Sequence, residues 1–128
     1  MADYKMANGL VNNVVSEANA DKLRRNMVNS GVTVPNYSNA AHHIVAGNAP
    51  DAAEARQILD SFEININSAS NGVFLPTELG VSNAAYHPSL HTSSYYSKVN
   101  ALLRGATSSQ DVKDILAQIS QSLLNGTF

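Results

Sequence analysis

The stretch "NAAHHIV", residues 39–45, places two of the chain's four histidines side by side, directly ahead of an apolar pair. The preceding stretch, "VTVPNYSN" at residues 32–39, interrupts any helix at Pro35 and supplies turn-forming residues. We therefore expect His42 and His43 to lie on a β-strand or on the residues leading into one. Neighbouring side chains on a strand point to opposite faces, so the two imidazoles are suited to two different roles.

The composition predicts a single domain with one apolar core, because 44% of the 128 residues are apolar. No apolar run reaches the roughly 18 residues of a membrane span, and we expect neither a membrane contact nor a signal peptide on this chain. The formal charge of −2 argues against a broad basic surface for nonspecific duplex binding. The absence of cysteine excludes disulfides, thiolate metal sites and cysteine nucleophiles.

Helices are predicted on both sides of the histidine pair. In "ADKLRRNMVNSG", residues 20–31, Leu23 and Met27 are four apart, and Gly31 stands where a helix would stop. An earlier apolar stripe predicts a further helix, weakened by asparagines and Gly9. That stripe consists of Leu10, Val11, Val14 and Val15.

A helix and a short strand are predicted after the histidine pair. Asp51 and Glu54 have the spacing of a capping box at a helix start. The buried face of this helix would be formed by Ala55, Ile58, Leu59 and Phe62. The β-prone run "VFLP", residues 73–76, then predicts a second strand, which Pro76 closes.

Two more amphipathic helices are predicted in the last third of the chain. One would have Pro88 at its first position and end at Gly105. Its inner stripe would be Tyr95, Val99 and Leu102, with Tyr96 and Leu103 beside it. The other would be capped by Ser108 or Ser109 and end at Gly126. Its stripe would be Val112, Ile115, Leu116, Ile119 and Leu123.

The remaining histidines, His87 and His91, are four apart where the chain passes through Pro88. This spacing can direct both rings toward one place, and neutral imidazoles with open positions beside them suit zinc, nickel or another divalent ion. Three histidines could thus hold a metal and the fourth could transfer a proton. The pattern also allows exposed or helix-capping histidines without a metal. Likewise, Asn71 fits a turn, or an amide that holds a neighbouring backbone or imidazole.

The ordered motifs "AAHHIVAG" (40–47), "NGVFLP" (71–76) and "HPSLHTSSYYSKV" (87–99) resemble the AHH group of the HNH/endonuclease VII, or His-Me finger, nuclease superfamily. The resemblance covers residues 39–103. It implies a helix-rich α+β chain in which a ββα-metal finger is embedded among flanking helices. We accordingly predict one domain over 1–128, with a helical part at 1–38, the ββα core at 39–104 and a C-terminal helix at 108–125.

The resemblance also assigns roles to individual residues. His43 matches the general base, His42 and His91 match metal ligands, and His87 matches the third ligand. Because Pro88 restricts the backbone of His87, Tyr86 or a water is an alternative ligand. The ion would be a single divalent metal such as Mg, Zn, Ni or Mn.

Three further positions complete the predicted site. Asn71 matches the orienting Asn of the finger and is predicted to be the second catalytic residue beside His43. Arg56 and Lys98 are candidates for phosphate contacts, although solvated surface positions would explain both residues equally well.

The function implied is a metal-dependent endonuclease that hydrolyses DNA. The family's domains are typically toxin or effector modules of larger secreted bacterial proteins, which act in the cytoplasm of a target cell and are restrained by a cognate immunity protein. Two alternatives stay open from the residues themselves. One is a metal-independent RNase toxin that uses a histidine pair, and the other is a non-catalytic helical domain that binds a metal or a partner.

Overall fold

The computed structural model describes residues 17–128, which form an α+β arrangement of helices around a two-stranded antiparallel sheet. The elements in chain order are α1 (Ala20–Asn29), β1 (Asn39–His43), α2 (Ala53–Ser61), β2 (Gly72–Pro76), α3 (Ser93–Leu103) and α4 (Ser109–Asn125). Short 3-10 helices lie at Pro50–Ala52, Ala69–Asn71 and His87–Leu90. The predicted helix-rich α+β class is confirmed, and both predicted strands are present. The predicted stripe at residues 10–15 lies outside the described residues.

The register of the sheet directs the two adjacent histidines to opposite faces. His42 pairs with Val73, and His43, the last residue of β1, pairs with Gly72, the first residue of β2. One face packs on α1, where Ala41 joins a small core formed with Leu23, Met27 and Phe74. A Cβ on Gly72 would lie 2.6 Å from the Met27 sulfur, so α1 approaches β2 where only glycine fits without movement.

The opposite face of the sheet belongs to the main core. Val73 and Leu75 pack there with residues of α2, α3 and α4. The predicted α4 stripe is confirmed, since Val112, Leu116, Ile119 and Leu123 are buried and Ile115 packs partly buried against them. Ser108 caps this helix and Gly126, at φ 72°, ends it in the left-handed conformation. Within residues 17–128, no helix is both long and apolar enough to cross a membrane.

Helix α3 begins five residues later than the sequence predicts. Pro88 lies in the 3-10 helix His87–Leu90, and Thr92 then caps α3 by accepting a hydrogen bond from the Tyr95 amide. Leu102, predicted on the inner stripe, is 45% exposed. The buried positions are Tyr95, Val99, Asn100 and Leu103, because the inner face continues at intervals of four residues.

The predicted capping box at Asp51 and Glu54 is wrong. Asp51 lies in a 3-10 helix, and α2 begins at Ala53 without any side-chain cap from the preceding residue. The cap comes from α3, because Asn100 accepts from the Ala55 amide at 3.0 Å and donates to the Asp51 carbonyl at 2.9 Å. Glu54 instead forms a two-point ion pair with Arg104.

Because the cap of α2 comes from Asn100, we expect substitution of Asn100 to destabilise the fold more than substitution of Asp51. The local sequence alone would suggest the opposite order. Asn100→Ala leaves a backbone donor and a backbone acceptor unpaired at the start of α2, so we expect a loss of about 1–3 kcal/mol in unfolding free energy. Asp51→Ala removes an exposed side chain, and we expect a change within about 0.5 kcal/mol. Urea unfolding of both variants measures the difference. A larger loss for Asp51→Ala than for Asn100→Ala would contradict the tertiary cap.

Candidate functional site

His42 lies near the end of β1, and its side chain is buried on the side of the sheet that faces α3. Its Nε2 atom is 2.9 Å from the hydroxyl oxygen of Tyr95, and that hydroxyl donates to the Ile44 carbonyl at 2.8 Å. A carbonyl can only accept, so the hydroxyl hydrogen points to Ile44 and the hydroxyl oxygen accepts from His42. Nε2 of His42 therefore carries its proton, and Nδ1 keeps a free lone pair.

His87 and His91 converge on His42. The ring centroid of His42 lies 5.1 Å from that of His87 and 6.4 Å from that of His91, and the last two lie 4.9 Å apart. The 3-10 helix at residues 87–90 brings the second pair together, rather than the first turn of an α-helix as the sequence predicts. We call these three imidazoles the histidine cluster.

Burial keeps His42 and His87 uncharged near neutral pH. Burial above all, followed by repulsion from His87, His91 and His43, lowers the pKa of His42 to about 3. The pKa of His87 is lowered by burial and then by His91. A neutral ring nitrogen is the form that coordinates a metal. His42 and His87 thus have the protonation state of metal ligands.

The arrangement of the three rings is compatible with one shared ion. Within residues 17–128, no three His, Asp or Glu side chains are already arranged as a metal site. Zn–N distances of about 2.0–2.1 Å in a tetrahedral site would place imidazole centres about 5 to 6 Å apart, close to the separations in the cluster. Nδ1 of His87 is also buried without a hydrogen-bond partner. A polar atom of this kind is normally paired, and an ion would pair it.

His43 contacts a different residue, Asn67. Nε2 of His43 is 2.9 Å from Oδ1 of Asn67. Backbone groups fix the orientation of this amide, because Oδ1 also accepts from the Asn19 N–H at 2.8 Å and Nδ2 donates to the Glu17 carbonyl at 3.0 Å. His43 must therefore donate from Nε2, and its Nδ1 is the nitrogen that can accept a proton. Burial lowers the pKa of His43, while the bond to Asn67 acts in the opposite direction.

Asn71 is fully buried and holds the backbone rather than an imidazole. Its Oδ1 accepts from the Val45 N–H at 2.9 Å, and its Nδ2 donates to the carbonyls of Ile66 and Val45 at 2.9 and 3.2 Å. Its own carbonyl accepts from the Ile44 N–H at 2.8 Å. Of the two roles that the sequence allowed for this amide, the structure shows the backbone one. The residue that contacts His43 is Asn67.

Arg56 and Lys98 are engaged within the fold. Arg56 donates to the carbonyls of Ala46 and Ala49 at 2.9 and 2.8 Å, and so fastens the loop that follows β1. Lys98 donates to the Phe128 carbonyl at 2.8 Å and lies 4.2 Å from the centre of its ring. Neither contact is with the histidine cluster. Their use for phosphate binding stays a prediction.

Tyr95 and Asn67 are the two site residues that the sequence analysis missed. The periodicity predicts Tyr95 on an apolar stripe. A buried tyrosine hydroxyl usually has a polar partner, and this rule is the signal that could have indicated a contact with the site. Asn67 lies in "EININSASNG", residues 63–72, where it has the appearance of an ordinary turn residue. No local sequence signal distinguishes Asn67 from Asn65 or Asn71 as the partner of His43.

Comparison with known proteins shows the family of this chain. A family model described as a nuclease family of the HNH/ENDO VII superfamily with conserved AHH matches residues 23–125, from within α1 to the end of α4. No curated protein and no solved structure matches the chain. Nucleases of this superfamily generally use a divalent metal. Since the match spans most of the chain, and Ala41, His42 and His43 supply its Ala-His-His element, the chain belongs to the AHH nuclease family of the HNH/ENDO VII superfamily.

Proposed function

We propose that this nuclease is a metal-dependent endonuclease that hydrolyses DNA phosphodiester bonds with one divalent ion held by His42, His87 and His91. The observation that carries the proposal is the convergence of these three imidazoles beside a fourth, His43, which contacts Asn67 instead. Four histidines that were dispersed, or whose ring nitrogens were all hydrogen-bonded, would not provide a set of metal ligands.

The residues of the histidine cluster suit a bound ion. The His42 Nδ1 lone pair is free, and the buried Nδ1 of His87 has no hydrogen-bond partner. Three imidazole ligands leave coordination positions for water and a phosphate oxygen. An ion bound there would supply Lewis-acid polarisation of the phosphate and charge stabilisation of the departing 3′ oxygen.

His43 would act as the general base. Its Nδ1 would take a proton from a water molecule as the water oxygen bonds to phosphorus and the bond from phosphorus to the 3′ oxygen breaks. Asn67 would hold the ring through Nε2, so that Nδ1 remains the acceptor throughout. Because its partner is an uncharged amide and burial lowers its pKa, His43 would be neutral near pH 7.

In this proposal, the base and one of the ligands, His42, lie at the same end of the sheet. His43 pairs with the first residue of β2, so the rings of His42 and His43 flank the end of the sheet from its two faces. A phosphodiester that lies across this end would meet both. The net charge of −2 is consistent with a local contact of this kind, because it provides no broad basic surface.

The cellular role we propose follows from the family resemblance. The domain would be a bacterial toxin or effector module delivered within a larger secreted protein, and it would act in the cytoplasm of a target cell. A cognate immunity protein would restrain it in the producing cell. Co-expression toxicity, relieved by a candidate immunity protein but unaffected by one from another system, tests this role.

The nuclease activity is tested by plasmid cleavage with added Mg²⁺, Mn²⁺, Ni²⁺ or Zn²⁺. We expect cleavage that excess chelator abolishes, and we expect His43→Ala to slow it by about 100- to 10,000-fold, the usual contribution of a general base. Intact plasmid with every ion, and no difference between wild type and His43→Ala, would contradict the proposal. RNA cleavage that persists in excess chelator would identify a metal-independent RNase instead.

The division of roles among the histidines is tested by calorimetric titration with Zn²⁺ or Ni²⁺. We expect His42→Ala and His91→Ala to weaken metal binding because each removes a ligand, and we expect His43→Ala to bind nearly as well as wild type. Equal losses in all three variants would refute the division. If chelation lowered the melting temperature while no nucleic acid was cleaved, a non-catalytic metal-binding domain would be the better description.

The contact between Asn67 and His43 predicts a separate effect on the rate. Asn67→Ala removes the partner of Nε2, so we expect slower cleavage by about 10- to 100-fold, part of the general-base contribution. Asn26→Ala is the matched control, because Asn26 donates to the Asn67 carbonyl and contacts the same loop without contacting His43. Cleavage rates under saturating metal measure both. Equal rates for the two variants would contradict an orienting role for the Asn67 amide.

A further inference from the structure

Tyr95 connects the start of α3 to the end of β1 through one buried hydroxyl. The side chain is 5% exposed, and the hydroxyl lies between Nε2 of His42 and the carbonyl of Ile44. His42 and Tyr95 are 53 positions apart in the chain. The contact therefore exists only in the folded protein, and it involves one ring of the histidine cluster.

We propose that Tyr95 is a positioning residue that holds His42 in the Nε2–H tautomer and thereby selects Nδ1 of His42 as the metal-binding atom. The inference rests on the proposed function, because it concerns the same cluster. It adds a role for Tyr95 and an atomic assignment for His42 that neither the family match nor the sequence motifs give.

The direction of the two hydrogen bonds carries the argument. A tyrosine hydroxyl has one hydrogen, and the Ile44 carbonyl can only accept, so the hydroxyl oxygen is left to accept from His42. Reversing the bond to His42 would leave the Ile44 carbonyl without this buried partner.

The acceptor and the donor are both held in place. The Ile44 amide is fixed by its bond to the Asn71 carbonyl, which sets the direction of the neighbouring peptide. The Tyr95 ring packs edge-on against Tyr96 and Phe128, with centroid distances of 5.7 and 5.6 Å. These ring contacts restrict the position of the hydroxyl. A ligand histidine whose second nitrogen donates to such a partner is oriented and made more basic.

The test uses Tyr95→Phe, which keeps the ring and removes only the hydroxyl. In the metal-free protein, two-bond proton–nitrogen correlations by NMR should show the Nε2–H tautomer of His42 in wild type and a loss of that preference in the variant. Calorimetric titration with Zn²⁺ should show affinity reduced by about 10- to 100-fold. Tyr96→Phe is the matched control, because within residues 17–128 the Tyr96 side chain forms no hydrogen bond, and it should match wild type in both measurements.

Two outcomes would overturn the inference. One is an Nδ1–H tautomer at His42 in wild-type protein, which requires no variant and so does not depend on how the variant folds. The other is Tyr95→Phe with the wild-type tautomer and the wild-type affinity. Failure of the proposed function looks different, since wild type would then bind no Zn²⁺, or His42→Ala would bind it equally well. The tautomer measurement remains decisive for Tyr95 in that case.

Discussion

The site depends on the antiparallel pairing of two five-residue strands and on Asn71, whose hydrogen bonds extend this pairing by two residues. The last residue pair of the sheet is His43 with Gly72. Beyond it, Asn71 continues the hydrogen bonding: its backbone carbonyl accepts from the Ile44 amide, and its side chain bonds to the N–H and the carbonyl of Val45. This fixes the backbone on either side of the histidine pair. A slip of one residue would exchange the faces of the two imidazoles, so the register also decides which of them faces His87 and His91.

The two histidines are held in the same tautomer by different means. Each donates from Nε2 to an oxygen whose own orientation is set by backbone groups, through Tyr95 for His42 and through Asn67 for His43. Both partners are uncharged, so neither ring gains a carboxylate that would favour its cation. Burial then keeps both rings neutral. One backbone segment thus carries two imidazoles that both donate from Nε2, on opposite faces of the sheet.

Local patterns predicted well wherever a single element carries its own signal. The α4 stripe, its Ser108 cap and its Gly126 terminus lie within one continuous segment, and all were correct. The start of α2 was not, because its cap comes from Asn100, 45 residues beyond the amide that it binds. The start of α3 was also misplaced, since Thr92 provides a competing cap after Pro88. Local signals fail where two caps compete or where the partner is distant in sequence.

By itself, the sequence determined the element order, the α+β class, the four histidines as candidate site residues and the family of the chain. Spacing and periodicity are properties of neighbouring residues, so they can be recognised without the fold. Only the tertiary structure decided which side chains meet. It brought the three rings of the cluster together, paired His43 with Asn67 instead of Asn71, and gave His42 its partner in Tyr95. Apart from the contact between His87 and His91, these contacts join residues 24 to 53 positions apart, and no local pattern encodes which of several asparagines or tyrosines will contact a given ring.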